Sequence, residues 1–270
     1  MKLGVAVRTM GPQSNRELLV GCVQAAERLG LDDVWVQDHV AIPPDDAEGS
    51  GGRYLDPLTT LAYLAACTSR IGLGSGVLNI PYRAPLPTAK ALATIQELSG
   101  GRLRLGIGVG WMHAEFRALG VPRNRRGALT DEGLRFIRRC FESDEVEANG
   151  QPFLFLPRPE RPPIYVGGSG LHALERTVAF GDGWLPMGGD PAKLREPILE
   201  LGELAAKAGK APPEVKLMTA LPLDQLDRSI QLAGAMAEVG VTSLIQGVRY
   251  SELAEFESAA ARLAECGRAL

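Results

Sequence analysis

The chain has 270 residues, 45% hydrophobic and 23% charged, with 29 Lys+Arg against 32 Asp+Glu and a formal net charge of −3. That is a globular composition, and its charge balance supplies no basic surface for nucleic acid. No run of about 18 apolar residues is present to cross a membrane, and the opening "MKLGVAVRTMGP" lacks the long apolar region and cleavage site of a secretory signal.

Taken in chain order, short apolar runs alternate with amphipathic stretches. Strand-like Leu3–Val7 is followed by a helical pattern at Arg16–Leu29, and Val34–Val36 by Asp56–Ala66. Ile71–Leu78 precedes Leu86–Leu98, and Leu103–Val109 precedes Thr130–Phe141. Ile164–Val166 precedes Leu171–Phe180, and Gly183–Pro186 precedes Ala192–Ala208. Val215–Leu221 then leads to Leu226–Glu238, and Ser243–Gln246 to Leu253–Leu270. The helical stretches space apolar residues three and four apart. The strands are nearly continuous apolar runs, as for parallel strands covered by helices. Eight such units in about 250 residues predict an α/β fold, a (β/α)8 TIM barrel, with residues 1–270 as one domain. One stretch interrupts the rhythm. The Pro-rich segment at about 142–163 carries Asn149-Gly150 between "EVEA" and "PFLF", a hairpin turn signal, and reads as a short insertion between strands 4 and 5.

Cys22, Cys67, Cys140 and Cys266 are widely spaced and form no CxxC, which reads as reduced thiols in a cytoplasmic protein. His39, His113 and His172 lie far apart and form no HExxH, so no metal site is expected.

In a barrel of this kind function sits at the C-terminal strand ends. Strand 2 ends on Gln37-Asp38-His39, strand 3 in "GLGSGVLNIPYRAP", strand 4 in "LGIGVGWMHAEF", strand 5 in "VGGSGLH" and strand 6 in "GDGWLPMG". Glycine recurs there, where backbone approaches a ligand or takes unusual dihedrals. His39 can be a general acid or base, a hydrogen-bonding wall, or a satisfied structural histidine. Gly167-Gly168-Ser169 either presents amides and a hydroxyl to a phosphate or forms a plain turn with Ser169 as N-cap. Gly106, Gly108 and Gly110 have G-x-G-x-G spacing, which is not the dinucleotide fingerprint G-x-G-x-x-G.

The set "VWVQDHV", the run from Asp56 to Ile137, "PPIYVGGSG" and "GDGWLPM" resembles the bacterial luciferase-like flavin and deazaflavin oxidoreductases. Within it, "SGGRLRLGIGVGW…EF…GVP…RG…DE" is most similar to the branch that uses coenzyme F420. The resemblance spans roughly residues 1–190. It implies a TIM barrel, usually a homodimer, acting on a small-molecule substrate by hydride transfer to or from a deazaflavin ring. An FMN-dependent monooxygenase and a non-catalytic cofactor-binding protein are the alternatives. It implies Asp38 and His39 beside the ring as catalytic and cofactor-binding groups. Gly76-Val77 takes the position of the family's non-proline cis peptide behind the ring. Gly108, Val109, Gly110 and Trp111 would line the ring edge and ribityl chain, and Gly167, Gly168 and Ser169 would hold the phosphate. Trp111 and Met112 follow the third glycine, where relatives that oxidise sugar phosphates carry an acid, so that substrate class is not implied. Arg8, Asn79, Tyr82, Arg83, His113, Glu115 and Gln246 are the other polar groups at strand ends, with Glu115 read as a brace for the helix that follows. Arg123, Arg125 and Arg126 could meet an anionic cofactor tail.

Overall fold

The computed structural model describes residues 1–270. Its ten strands are β1 (Lys2–Ala6), β2 (Asp33–Val36), β3 (Gly72–Asn79), β4 (Leu103–Gly108), β5 (Glu145–Ala148), β6 (Gln151–Leu154), β7 (Ile164–Gly167), β8 (Gly183–Leu185), β9 (Glu214–Thr219) and β10 (Ser243–Gly247). Eight of them close into a parallel barrel in the order β1-β10-β9-β8-β7-β4-β3-β2, while β5 and β6 pair antiparallel as a separate hairpin. The helices are α1 (Arg16–Arg28), α2 (Pro57–Cys67), α3 (Pro85–Leu98), α4 (His113–Ala118), α5 (Arg126–Glu142), α6 (Leu171–Phe180), α7 (Pro191–Lys207), α8 (Leu226–Glu238) and α9 (Leu253–Arg268). The fold is therefore the expected (β/α)8 barrel with a short insertion between the fourth and fifth barrel strands. No helix is long and apolar enough to cross a membrane, and the four cysteines are free thiols.

Two details differ from the sequence reading. Helix α5 starts at Arg126 rather than Thr130, whose hydroxyl donates back to the Arg126 carbonyl at 2.8 Å and so lies one turn into the helix. Helix α4 has only six residues, too few to display a 3.6-residue period.

Side-chain alternation along each strand sorts residues into two cores. Val5, Val34, Val36, Ile107, Val166 and Leu244 pack outward with the helices in the main core, while Ala6, Trp35, Tyr165, Leu185 and Ile245 form a second cluster inside the barrel. Trp35 is fully buried and meets the Tyr165 ring edge-on at 6.1 Å. Its bulk needs room on neighbouring strands. A Cβ on Gly74 would lie 2.3 Å from the indole, and one on Gly4 2.9 Å from its Nε1. The inward glycines are thus the other half of the Trp35 packing. With the lumen plugged at this level, open space begins above it, at the C-terminal rim.

Candidate active site

The inward face of β2 continues past its end. Trp35 fills the lumen, and Gln37 and His39, two and four residues on, line a cavity of about 680 Å³ at the rim. Asp38 lies between them and is buried. Its carboxylate takes a bidentate pair from Arg83, with Nη1–Oδ2 2.7 Å and Nη2–Oδ1 2.8 Å, and accepts the Asn79 backbone N–H at 2.8 Å. Arg83 also reaches Asp56 at 2.9 Å. Burial alone would lower the Arg83 pKa, but the Asp38 and Asp56 carboxylates outweigh it and raise it. Both Asp38 oxygens are thereby engaged, so the group ties the end of β2 to the segment after β3.

His39 has a different partner. Its Nδ1 lies 3.0 Å from Glu115 Oε2, and the same oxygen accepts the Tyr82 hydroxyl at 2.9 Å. Glu115 Oε1 accepts the backbone N–H groups of Val40 at 2.6 Å and Ala41 at 3.2 Å. The Glu115 side chain is fully buried. Burial pushes its pKa up, but the His39 bond and the two amides together win and pull it down to about 2. Tyr82 moves the other way, raised by burial and then by its bond to the Glu115 carboxylate. An ionised carboxylate only accepts, so His39 Nδ1 must carry a proton, and Nε2 is the nitrogen left for the cavity. Tyr54 and Trp111 flank the imidazole at ring-centroid distances of 4.9 Å and 6.0 Å.

The opposite wall comes from β3. The Gly76-Val77 peptide bond is cis, and the β3–β4 register shifts between Ser75 and Leu78. Val77 consequently packs against the inner cluster while Leu78 returns to the outer core. Gly108 and Gly167 accommodate it: a Cβ on Gly108 would lie 2.6 Å from Val77 Cγ2, and one on Gly167 2.8 Å from Val77 Cγ1. Met10, Met187, Met218 and Ile245 supply further apolar lining. The Thr219 hydroxyl oxygen is buried beside this space without a protein partner.

Of the residues anticipated from sequence, Asp38, His39, Gly76, Val77 and Trp111 line this one cavity. Gly108, Val109, Gly110, Gly167, Gly168 and Ser169 lie outside its lining. Gly108 and Gly167 make space for Val77. Gly110 has φ +74°, and a Cβ there would lie 2.8 Å from the Tyr82 ring and 2.9 Å from Phe116, so it turns the chain toward Glu115. Ser169 is exposed and is not an N-cap. Gly170 precedes α6, and no side chain caps that helix. The Gly168 carbonyl accepts Trp184 Nε1–H at 2.9 Å. Glu115, read from sequence as a cap or brace for the helix that follows, instead binds His39 and the loop after β2. Sequence carried no signal for this, because α4 is too short to show which of its sides is buried. Nothing local in the sequence distinguishes Gln37 from an ordinary loop amide, because its orientation comes from Thr9, 28 positions away.

Comparison with known proteins agrees with the fold. A family profile described as luciferase-like monooxygenase matches residues 1–268. An uncharacterised protein of Mycobacterium tuberculosis is 32% identical over 267 residues, covering 89% of this chain and 92% of the relative. A 5,10-methylenetetrahydromethanopterin reductase of Methanolobus tindarius is 30% identical over 227 residues, covering 82% of this chain and 65% of the relative. In fold, the chain resembles an F420-dependent secondary alcohol dehydrogenase solved with an F420–acetone adduct (TM-score 0.83, 16% identity, 99% and 98% covered). It also resembles the monooxygenase RslO1 of Streptomyces bottropensis (TM-score 0.80, 21% identity, 98% of each chain covered). With a match over nearly its whole length and a rim cavity of the matching barrel, the chain belongs to the luciferase-like monooxygenase family.

Proposed function

We propose that this protein is an F420-dependent oxidoreductase that transfers a hydride between a deazaflavin ring and a small organic substrate. One observation carries this reading: His39, with Nδ1 committed to Glu115, offers Nε2 to a cavity whose other wall is Gly76-Val77. The residues fit a flat tricyclic ring. The cavity is large, mostly apolar, bounded by the Val77 side chain, and bordered by an unpartnered Thr219 hydroxyl. The likeness to a methylenetetrahydromethanopterin reductase and to an F420-dependent dehydrogenase supports the deazaflavin over FMN.

When bound, the deazaflavin would supply two-electron hydride chemistry. Val77 and Gly76 would back its ring, and Trp111 would close the rim. Arg123 and Arg126 form no ion pair, unlike Arg125 with Glu132 at 3.3 Å, so they are available to an anionic tail. His39 would exchange at Nε2 the proton that accompanies hydride transfer. Glu115 holds the imidazole in the matching tautomer. Asp38 acts through position, anchoring the strand end that carries His39.

Titrating the purified protein separately with F420 and FMN tests the assignment. Tight F420 binding with hydride transfer to or from a small substrate is the expected result. Binding of FMN alone, with oxygen consumed by the reduced flavin, would replace it with the monooxygenase reading. Fold likeness to RslO1 makes that the specific rival.

A further inference from the structure

We infer that Gln37 is a substrate-positioning residue and that the cavity takes an uncharged compound, an apolar body bearing one carbonyl or hydroxyl oxygen, which the Gln37 amide holds. This rests on the rim cavity being the reaction site proposed above.

The Thr9 hydroxyl is fully buried and accepts the Gln37 backbone N–H at 3.3 Å. Its own proton goes to Gln37 Oε1 at 3.0 Å. The carboxamide is therefore pinned by its oxygen, and the Nε2 end forms no bond within the protein. A carboxamide nitrogen with two N–H donors at a cavity wall is half of a recognition pair whose other half is an acceptor oxygen. Gln37 and His39, two residues apart just past the end of β2, both line the cavity. An oxygen reached by the amide thus lies on the wall that also carries His39 Nε2.

No lysine or arginine lines the cavity. Its one carboxylate, Asp38, is neutralised by Arg83. A phosphate or carboxylate on the substrate would lose its hydration without meeting a cation, which is costly. A neutral oxygen needs only hydrogen bonds. Met10, Met187 and Met218 border the remaining space with flexible thioethers, which adapt to apolar bodies of varied shape.

Isothermal titration calorimetry tests this on the protein loaded with whichever of F420 or FMN it takes, and on the cofactor-free protein. The probes are a panel of cyclic and linear ketones, the hydrocarbons matched to them in shape, and the matched carboxylates. Ketones should bind more tightly than carboxylates. Gln37→Met should weaken ketone binding about 3- to 10-fold, the worth of one neutral hydrogen bond, while hydrocarbon and cofactor affinities stay within about twofold. Gln37→Asn, which withdraws the amide by one methylene, should show the same selective loss and serves if Gln37→Met fails to fold. The inference is overturned if carboxylates bind as well as ketones, if no ketone binds either form, or if the variants weaken ketone and hydrocarbon equally. Absence of binding by both cofactors would overturn the proposed function instead, and the ketone–hydrocarbon comparison on the cofactor-free protein would still decide the role of Gln37.

Discussion

The two ends of the barrel each hold buried charge, and the cavity of about 680 Å³ borders it at only one of them. At the N-terminal end, Lys216 is buried with its Nζ 3.6 Å from Asp33, 3.9 Å from Glu214 and 3.2 Å from the Ser243 hydroxyl. Its ammonium also lies 4.8 Å from the Tyr165 ring centroid, and Arg104 reaches Asp33 at 3.6 Å. Burial lowers the Lys216 pKa more than the two acids raise it. Every group in that cluster is turned toward another protein group. At the C-terminal end, Glu115 and Asp38 are equally saturated, but the chain of bonds stops at His39, whose Nε2 has no protein partner, and at the Gln37 amide. Buried charge by itself marks structure. A saturated network that leaves free donors or acceptors on open space marks a site.

Substitutions at the two ends should separate stability from chemistry. The largest effect is expected for His39→Ala, which removes the proton-exchanging group. Turnover should fall about a hundred- to ten-thousand-fold, with cofactor affinity nearly kept. Steady-state kinetics beside a cofactor titration checks this, and a fall below tenfold would mean that the top network has no more chemistry than the bottom one. Next comes Lys216→Met. It leaves the buried Asp33 with Arg104 as its remaining cation, and urea unfolding should show a loss of about 3–5 kcal/mol, while the folded fraction binds cofactor unchanged. A loss of cofactor affinity there would abolish the contrast between the ends.

Glu115→Gln sharpens the comparison through pH. The folded Glu115 pKa is depressed from the ordinary 4.5 to about 2. Its stabilisation is therefore present above the unfolded value and disappears as pH falls through the window from about 4.5 to about 2. Wild type should lose stability across that window, and the variant should lose less, seen in urea midpoints measured at steps of pH. At neutral pH the variant should also turn over more slowly, because a carboxamide no longer requires His39 Nδ1 to carry the proton and so no longer fixes its tautomer. The smallest effect is expected at the cavity wall. Gly108→Ala places a Cβ 2.6 Å from Val77 and should cost about 1–3 kcal/mol with weaker cofactor binding. Adding Val77→Ala should restore most of the stability. Failure of that rescue would show that Gly108 has a role beyond making room for Val77.

Much of this was readable from the chain. The apolar runs and the helical spacing between them give the barrel, because period and burial are local properties of sequence. Asn149-Gly150 gives the hairpin for the same reason: its two residues have φ +52° and +76°, as that turn requires. The end of β2 was legible because a polar triplet directly after a buried strand has to face something. The glycines were harder. Their abundance at strand ends suggested ligand contact throughout, but Gly74 accommodates Trp35 and Gly108 and Gly167 accommodate Val77. A glycine records that something approaches closely, and sequence does not say whether that is a ligand or another side chain.

What the sequence determined by itself was the architecture, the rim on which function sits, and Asp38-His39 as part of that rim. Tertiary structure decided the division of labour among those residues. It engaged both Asp38 oxygens with Arg83, 45 positions away. It brought Glu115, 76 positions away, to His39 Nδ1 and so chose the nitrogen that meets the cavity. Hydrogen-bond valence is filled by whatever the closed barrel brings within reach, and most of those partners come from other strands and the loops after them.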